Sequence, residues 1–177
     1  VFGVLTTRIK FHMRFPTVLA LASDLSAGRT TSRRLVEQCL TRINDPKGEG
    51  ARAFTKVYAD SALAEADASD KLRALGVVRS PVEGIPISVK DLFDVAGDRT
   101  LAGSKALRSA APATADAPAV ARLRAAGAII VGRTGMVEFA FGGVGINPHY
   151  GTPKNPWDRA SGGRIPGGSS SGAAVAV

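Results

Sequence analysis

The sequence predicts an α/β fold, and three observations on the 177-residue chain support this class. A β-branched strand pattern over Ile85–Val95 and a short apolar run over Ala128–Val131 enclose a helical segment, Ala117–Ala126. Such strand–helix–strand alternation is typical of a sheet covered by helices. Glycines separate the segments, as turns require. Hydrophobic residues make up 45% of the chain and charged residues 21%, which provides enough apolar surface for a core.

The first half of the chain predicts three helices and one strand. The apolar spacing predicts a helix over Pro16–Ala27, which Gly28 ends. A second helix is predicted over Thr31–Ile43, with Thr31 or Ser32 as its cap. The other elements of this half are a turn-rich loop over Asp45–Gly50, a strand over Phe54–Tyr58 and a helix over Ser61–Leu75 that ends at Gly76.

The second half predicts two strands, one helix and a long loop. Ile85–Val95 has the clearest strand pattern. The helix Ala117–Ala126 is expected to have Asp116 as its cap and Pro118 in its first turn, where the missing N–H costs nothing. The stretch Gly142–Gly172 is rich in Gly, Pro, Ser and Asn, and irregular segments of this length are usually functional.

Composition excludes several classes of protein. The single cysteine, Cys39, rules out a disulfide within the chain and a zinc–thiolate cluster, and only His12 and His149 are available for a histidine site. No run approaches about 18 apolar residues, so no membrane-spanning helix is expected. A net charge of +8 occurs in nucleic-acid-binding proteins, but the basic residues are scattered and aromatic residues make up only 6%, which disfavours that class.

The two ends of the chain indicate a fragment. Residues 1–12 precede Met13 and are interpreted as an upstream extension, and residues 13–177 as the N-terminal portion of a single domain. The first residues show no apolar stretch followed by a cleavage site, so a cytoplasmic protein is expected. Because the chain stops within the apolar run Gly172–Val177, truncation at the C-terminus is expected.

The stretch Gly167–Gly172, rich in Gly and Ser, is the first candidate site. Its serines precede a segment that can begin a helix, whose positive end would face them. Composition alone leaves a flexible linker as the alternative. A phosphate-binding P-loop is excluded because no Lys follows the glycines. The Gly-x-Ser-x-Gly pattern centred on Ser170 lacks the preceding strand and the following His of a nucleophile elbow.

Lys90 is the second candidate. Its apolar neighbours make the centre of Ile85–Val95 an unfavourable place for a charged amine. An ordinary lysine has a pKa of about 10.4, so only about one in 2500 is neutral at pH 7. Burial that lowers this pKa would make Lys90 a base, which a serine hydrolase with almost no histidine needs. The alternative is an ordinary lysine at a strand end, or one paired with Asp91.

These segments, in this order, resemble the amidase signature family. The resemblance runs from about Met13 to Val177 and rests on several motifs rather than on one. The matching segments are Gly84–Asp91, Asp116 with Val120–Ala128, Gly132–Thr134, Glu138–Ala140, Asn155–Asp158 and Pro166–Ala176.

The resemblance implies an α/β/α sandwich around a mixed central sheet, of which this chain is the N-terminal part. It implies an amidase that hydrolyses a C–N bond through a Ser-cisSer-Lys triad and an acyl-enzyme intermediate. Lys90 takes the position of the family's lysine, and Ser169 that of its bridging serine, which the family holds with a cis peptide. The nucleophilic serine and the oxyanion hole are expected beyond Val177, so the fragment alone is expected to be inactive.

Departures from the family pattern leave alternatives open. Phe141–Gly145 replaces a more polar run of tRNA-linked amidotransferase subunits, and Arg133–Met136 replaces a Lys-Thr-Asn-Met motif. These differences favour a stand-alone amidase over the A subunit of glutamyl-tRNA(Gln) amidotransferase. A non-catalytic truncated scaffold is the third alternative. The candidate substrate-binding residues are Phe141, Gly142 and Gly143.

The chemistry that the resemblance implies needs neither a metal nor an organic cofactor, because serine and lysine supply the nucleophile and the base. The expected partner is a small-molecule amide substrate, and no association with a membrane is expected. Nucleic acid is expected only for the tRNA-linked alternative. A homodimer is compatible with the sequence.

Overall fold

A computed structural model of the protein describes residues 16–157 and 159–177. The predicted extension at residues 1–12, the expected start at Met13 and the last residue of the Asn155–Asp158 motif lie outside the described residues. Within the described ranges, no helix is long and apolar enough to cross a membrane.

The predicted helices form, with ends shifted by at most two residues. In the described ranges the α-helices are α1 (Val18–Ser26), α2 (Ser32–Ile43), α3 (Gly50–Ala53), α4 (Ala59–Ala74), α5 (Pro118–Ala125) and α6 (Ser171–Ala176), with 3₁₀ turns at Glu138–Ala140 and Arg159–Ser161. Thr31 caps α2, because its Oγ1 accepts a hydrogen bond from Arg34 N at 3.1 Å. The sequence does not predict α3, which is too short to show a helical spacing pattern.

The described residues form a mixed sheet of three strands. The strands are β1 (Phe54–Val57), β2 (Pro86–Lys90) and β3 (Ile129–Thr134), in the spatial order β1-β3-β2. β3 is antiparallel to β1 and parallel to β2. Every residue of β3 is buried, as expected for a central strand that is covered on both faces.

The predicted strand Phe54–Tyr58 forms β1 and ends one residue earlier, while the other two predicted strands differ more at their ends. β2 is shorter than the predicted Ile85–Val95, because the chain turns after Lys90 and Phe93 N donates a hydrogen bond to Lys90 O at 3.1 Å. β3 continues beyond the predicted Ala128–Val131 and includes Arg133, whose charge Asp91 neutralises. A charged residue can occupy a buried strand only with such a partner, which no local pattern reveals.

Asp116 does not cap α5, contrary to the prediction. Ala117 occupies the N-cap position and makes no side-chain hydrogen bond there. Asp116 Oδ1 instead accepts a hydrogen bond from Ala96 N at 2.7 Å, and its Oδ2 pairs with Arg124 Nε at 3.0 Å. The carboxylate therefore joins the loop after β2 to α5.

Helices cover both faces of the sheet. On one face, α2 and α4 pack against β3 in a cluster made of Val36, Leu40, Ala62, Ala66, Ile129 and Val131. On the other face, the buried cluster consists of Val89, Val95, Val120 of α5 and Ile130. Because successive residues of a strand point to opposite faces, β3 serves both clusters. The α/β class is confirmed, with helices on each side of a mixed sheet.

Candidate active site

Lys90 lies at the carboxyl end of β2, opposite Thr134 of β3. Its Nζ donates a hydrogen bond to Ser169 Oγ at 2.7 Å, although 79 residues separate the two in sequence. Asp91 is not the partner of Lys90, because its carboxylate pairs with Arg133 Nε at 2.7 Å. The structure thus brings together the two residues that the motifs single out and removes the Lys90–Asp91 alternative.

Lys90 is half-buried, and this burial lowers the pKa of its amine below the ordinary lysine value. Loss of hydration penalises the charged form of an amine, so a larger fraction is neutral at any given pH. A neutral amine can accept a proton from a hydroxyl within hydrogen-bonding distance. The chemistry available at this contact is proton exchange between Nζ and Ser169 Oγ.

The loop that carries Ser169 has a defined backbone. The peptide bond between Gly168 and Ser169 is cis. Gly168 N donates to Gly143 O at 2.9 Å, and Val137 N donates to Ser169 O at 3.0 Å. The loop is therefore held by the segment that follows β3.

The two serines after Ser169 have structural contacts. Ser170 is the N-cap residue of α6, and its carbonyl oxygen accepts a hydrogen bond from Ala174 N at 3.1 Å. Ser171 is buried, and its Oγ donates to Gly135 O at 3.3 Å. Gly172 N also donates to Gly135 O, at 2.8 Å. The linker interpretation of Gly167–Gly172 is wrong, because the end of this stretch packs against the body of the fold.

The candidate substrate-binding residues follow the 3₁₀ turn Glu138–Ala140. Phe141 is 92% exposed, and Gly142 and Gly143 are also exposed. Gly143 approaches the serine loop through its carbonyl oxygen. The structure thus places this segment beside Ser169 and leaves the Phe141 ring open to solvent.

Two polar pairings near the site were not predicted from the sequence, although some of their residues lie in the matching motifs. One is the buried pair of Asp91 and Arg133. In the other, Glu138 Oε1 accepts a hydrogen bond from Ser104 Oγ at 2.6 Å and lies 3.2 Å from His149 Nε2. The sequence signal for the first pairing is an arginine within an apolar run. Glu138 lies in a matching motif, but nothing in the sequence links it to Ser104 or His149. Among the described residues, no group of three or more His, Cys, Asp and Glu side chains is arranged to hold a metal ion.

A family model described as Amidase matches residues 34–177, which is most of the chain. The chain belongs to the amidase signature family. The match covers both Lys90 and Ser169, and it confirms the family that the ordered motifs resemble.

Individual proteins that are similar to this amidase signature chain support the same family assignment. AtzE, which belongs to the 1-carboxybiuret hydrolase of Pseudomonas sp. (strain ADP) as one of its subunits, is 47% identical over 157 residues, covering 89% of this chain and 34% of that protein. The A subunit of the glutamyl-tRNA(Gln) amidotransferase of Chromohalobacter salexigens is 43% identical over 165 residues. The match covers 93% of this chain and 33% of that protein. The X-ray structure of the native peptide amidase from Stenotrophomonas maltophilia is similar with a TM-score of 0.78 and 37% identity, over 93% of this chain and 34% of that one. The chain therefore spans about a third of the length of these relatives.

Proposed function

We propose that the protein containing this chain hydrolyses a carboxylic amide through an acyl-enzyme intermediate, with Lys90 as general base and Ser169 as proton relay. The observation that carries the proposal is the 2.7 Å hydrogen bond between Lys90 Nζ and Ser169 Oγ. Such a distance is what a base and the hydroxyl that it deprotonates require. Membership of the amidase signature family supports the class of reaction.

Proton transfer in this scheme begins with neutral Lys90. Its Nζ accepts the proton of Ser169 Oγ while Ser169 takes the proton of the nucleophilic hydroxyl. The freed oxygen attacks the amide carbonyl carbon, and a C–O bond forms as the carbonyl electron pair moves onto oxygen. Return of the proton through Ser169 to the amide nitrogen allows the C–N bond to break, which leaves the acyl-enzyme. Water then repeats the sequence with the same relay and releases the carboxylic acid.

The nucleophile of this scheme is a second serine, which we propose lies beyond Val177 together with the oxyanion donors, as the family resemblance implies. Neither Ser170 nor Ser171 is given this role: the Oγ of Ser171 is hydrogen-bonded to Gly135 O, and Ser170 immediately follows the proposed relay rather than lying in a later segment. Hydrolysis is therefore proposed for the full-length protein. The exposed residues Phe141–Gly143 are proposed to contact the acyl group, because they lie beside the Ser169 loop.

Substitution of the two residues in the full-length protein tests this proposal. With a small neutral amide as substrate, Lys90→Ala and Ser169→Ala are each expected to lower kcat by about 100- to 10,000-fold, the usual contribution of general base catalysis. Lys105→Ala is the matched control, because Lys105 is an exposed lysine outside the site. A Lys90→Ala variant with nearly wild-type kcat would exclude Lys90 as the base.

A second candidate is the glutaminase subunit of an amidotransferase. The 43% identity to the A subunit of a glutamyl-tRNA(Gln) amidotransferase supports it, and the AtzE relative is also one subunit of a larger enzyme by its name. If this candidate is right, ammonia release from glutamine should depend on a co-purifying partner chain. A homodimer that hydrolyses simple amides without a partner favours the stand-alone amidase.

A cytoplasmic location is part of the proposal and is checked by fractionation of cells that express the full-length protein.

A further inference from the structure

A fully buried ion pair lies directly beside the candidate base. Arg133 on β3 and Asp91 after β2 are each 1% exposed, and Arg133 Nε donates to Asp91 Oδ1 at 2.7 Å. Burial of two charges carries a large desolvation cost. Well-packed apolar side chains of similar volume often stabilise a fold as much as a buried ion pair does. Stability alone is therefore a weak reason for a charged pair at this position.

The pair connects several segments around the end of β2. Arg133 Nη2 donates to Phe93 O at 2.9 Å and to Thr100 Oγ1 at 3.3 Å. Asp91 Oδ2 accepts a hydrogen bond from Gly103 N at 3.3 Å. The ionic contacts thus fix the turn after β2 against β3 and against the loop at Thr100 and Gly103.

The backbone at Asp91 transmits this restraint to Lys90. Asp91 N donates to Thr134 O at 3.1 Å, and Asp91 O accepts from Ala102 N at 2.9 Å. Successive side chains at a strand end point in opposite directions. Accordingly, Asp91 reaches Arg133 while Lys90 reaches Ser169. Because Asp91 is anchored on one side of the backbone, the side chain of Lys90 is directed to the opposite side, toward Ser169.

We propose that Asp91 and Arg133 are positioning residues that keep Lys90 Nζ at hydrogen-bonding distance from Ser169 Oγ. Neither residue is assigned a contact with substrate, and both act through the backbone at the end of β2. The inference rests on the proposed function, because it assigns them to the reaction in which Lys90 is the base. Its test is designed so that the two proposals fail separately.

The test uses the full-length protein, a small neutral amide, and separate measurement of kcat, KM and the pH dependence of kcat. Asp91→Asn keeps the shape of the side chain and removes its charge, and Arg133→Met removes the guanidinium. Each is expected to lower kcat by about 100-fold, the effect of a displacement of about 1 Å at the reacting groups, with KM within about twofold of wild type. Arg133→Lys keeps one charged hydrogen bond and should restore part of the lost kcat.

The pH profile separates positioning from a merely structural role. If Lys90 leaves its half-buried position for solvent, its pKa returns toward the ordinary value. The midpoint of the rise of kcat with pH should therefore move to higher pH in the Asp91→Leu/Arg133→Met double variant, which removes both charges together and leaves the net charge beside Lys90 unchanged. The matched control is Asp67→Asn, because Asp67 pairs with Arg33 at 2.9 Å in an exposed ion pair. This control should keep the wild-type kcat and midpoint.

The outcomes are distinguishable. If Lys90→Ala is inactive but Asp91→Asn and Arg133→Met keep the wild-type kcat and pH profile, the positioning role is wrong and the proposed function stands. If Lys90→Ala stays active, the proposed function fails first. If the single variants do not fold, Asp91→Leu combined with Arg133→Met replaces the pair by apolar side chains, which is expected to restore folding. This double variant should still show the low kcat, and a folded double variant with wild-type kcat would overturn the proposal.

Discussion

The backbone N–H of Val137 donates a hydrogen bond to the carbonyl oxygen of Ser169 at 3.0 Å. A second backbone hydrogen bond, from Gly168 N to Gly143 O at 2.9 Å, joins the same two segments. The segment Val137–Gly143 and the serine loop therefore form one structural unit. The position of Ser169 depends on this neighbouring backbone as well as on its own loop.

Replacement of Gly145 by Ala is expected to disrupt this unit. Gly145 has a φ of +87°, a region that favours glycine, and an added Cβ would collide with the carbonyl oxygen of Gly167. We expect the free energy of unfolding to fall by about 3 kcal/mol. We expect kcat to fall by about tenfold or more, because Ser169 is displaced. Denaturant unfolding and amide hydrolysis by the full-length protein measure the two effects.

The matched control for this prediction is Gly97→Ala. Gly97 has a similar φ of +80°, but apart from its own atoms and its two chain neighbours no described atom lies within 4 Å of the Cβ that the substitution adds. The control should lose about 1 kcal/mol of stability from backbone strain and keep its kcat. Equal kcat values in the two variants would refute the dependence of Ser169 on this contact.

Glu83 is predicted to be a stabilising buried carboxylate. Its side chain is fully buried and accepts hydrogen bonds from Ser69 Oγ at 2.7 Å and from Arg79 Nη2 at 2.8 Å. Glu83→Gln should lower the free energy of unfolding by about 2 kcal/mol, because the charged hydrogen bonds become weaker. Glu65→Gln is the control, since Glu65 pairs with Arg124 at a partly exposed site and should cost less than about 1 kcal/mol. Equal losses would contradict the prediction.

The same residue predicts a pH dependence of stability. Burial by itself would raise the pKa of Glu83, but the hydrogen bonds from Arg79 and Ser69 outweigh it and hold the pKa below its ordinary value. Such a carboxyl stabilises the fold above its unfolded pKa of about 4.3, and the stabilisation is lost as the pH falls through the lower folded pKa. Below about pH 4.3 the wild type should therefore lose stability more steeply than Glu83→Gln. Parallel pH curves from denaturant titrations would be the opposite result.

Phe141→Ala is predicted to affect substrate binding and not folding. Phe141 is 92% exposed, so removal of its ring should leave the free energy of unfolding unchanged. For an amide with an aromatic acyl group, we expect KM to rise by about tenfold, which corresponds to the loss of one apolar contact of about 1.4 kcal/mol. Leu75→Ala is the control, because Leu75 is 79% exposed at the end of α4. An unchanged KM would remove Phe141 from the substrate site.

The sequence predicts most helices and the class of the fold because local spacing determines them. Leu35, Val36 and Leu40 recur at helical spacing and are the buried residues that hold α2 in place. The ends of β2 and β3 are not predictable in this way. They depend on Asp91 and Arg133, which are 42 residues apart and whose charges neutralise each other only after folding.

The candidate site is predictable only in part. The order of motifs singles out Lys90 and Ser169, and the fold brings their side chains together across 79 residues. Their catalytic roles stay a prediction. The hydrogen bond from Val137 to Ser169 joins backbone atoms. Because every residue except proline has the same backbone donor and acceptor, such a contact between distant segments cannot be predicted from residue types.

The pH dependence of kcat/KM for the full-length protein, measured with Lys90→Ala as reference, tests most directly whether Lys90 is the base. Only the neutral amine accepts a proton, and burial lowers the pKa of Lys90. We predict that kcat/KM rises with pH through a single midpoint below the ordinary lysine pKa of about 10.4, and that this rise is absent in Lys90→Ala. The same rise in Lys90→Ala would show that another group is the base, and a midpoint at or above about 10.4 would contradict the lowered pKa of Lys90.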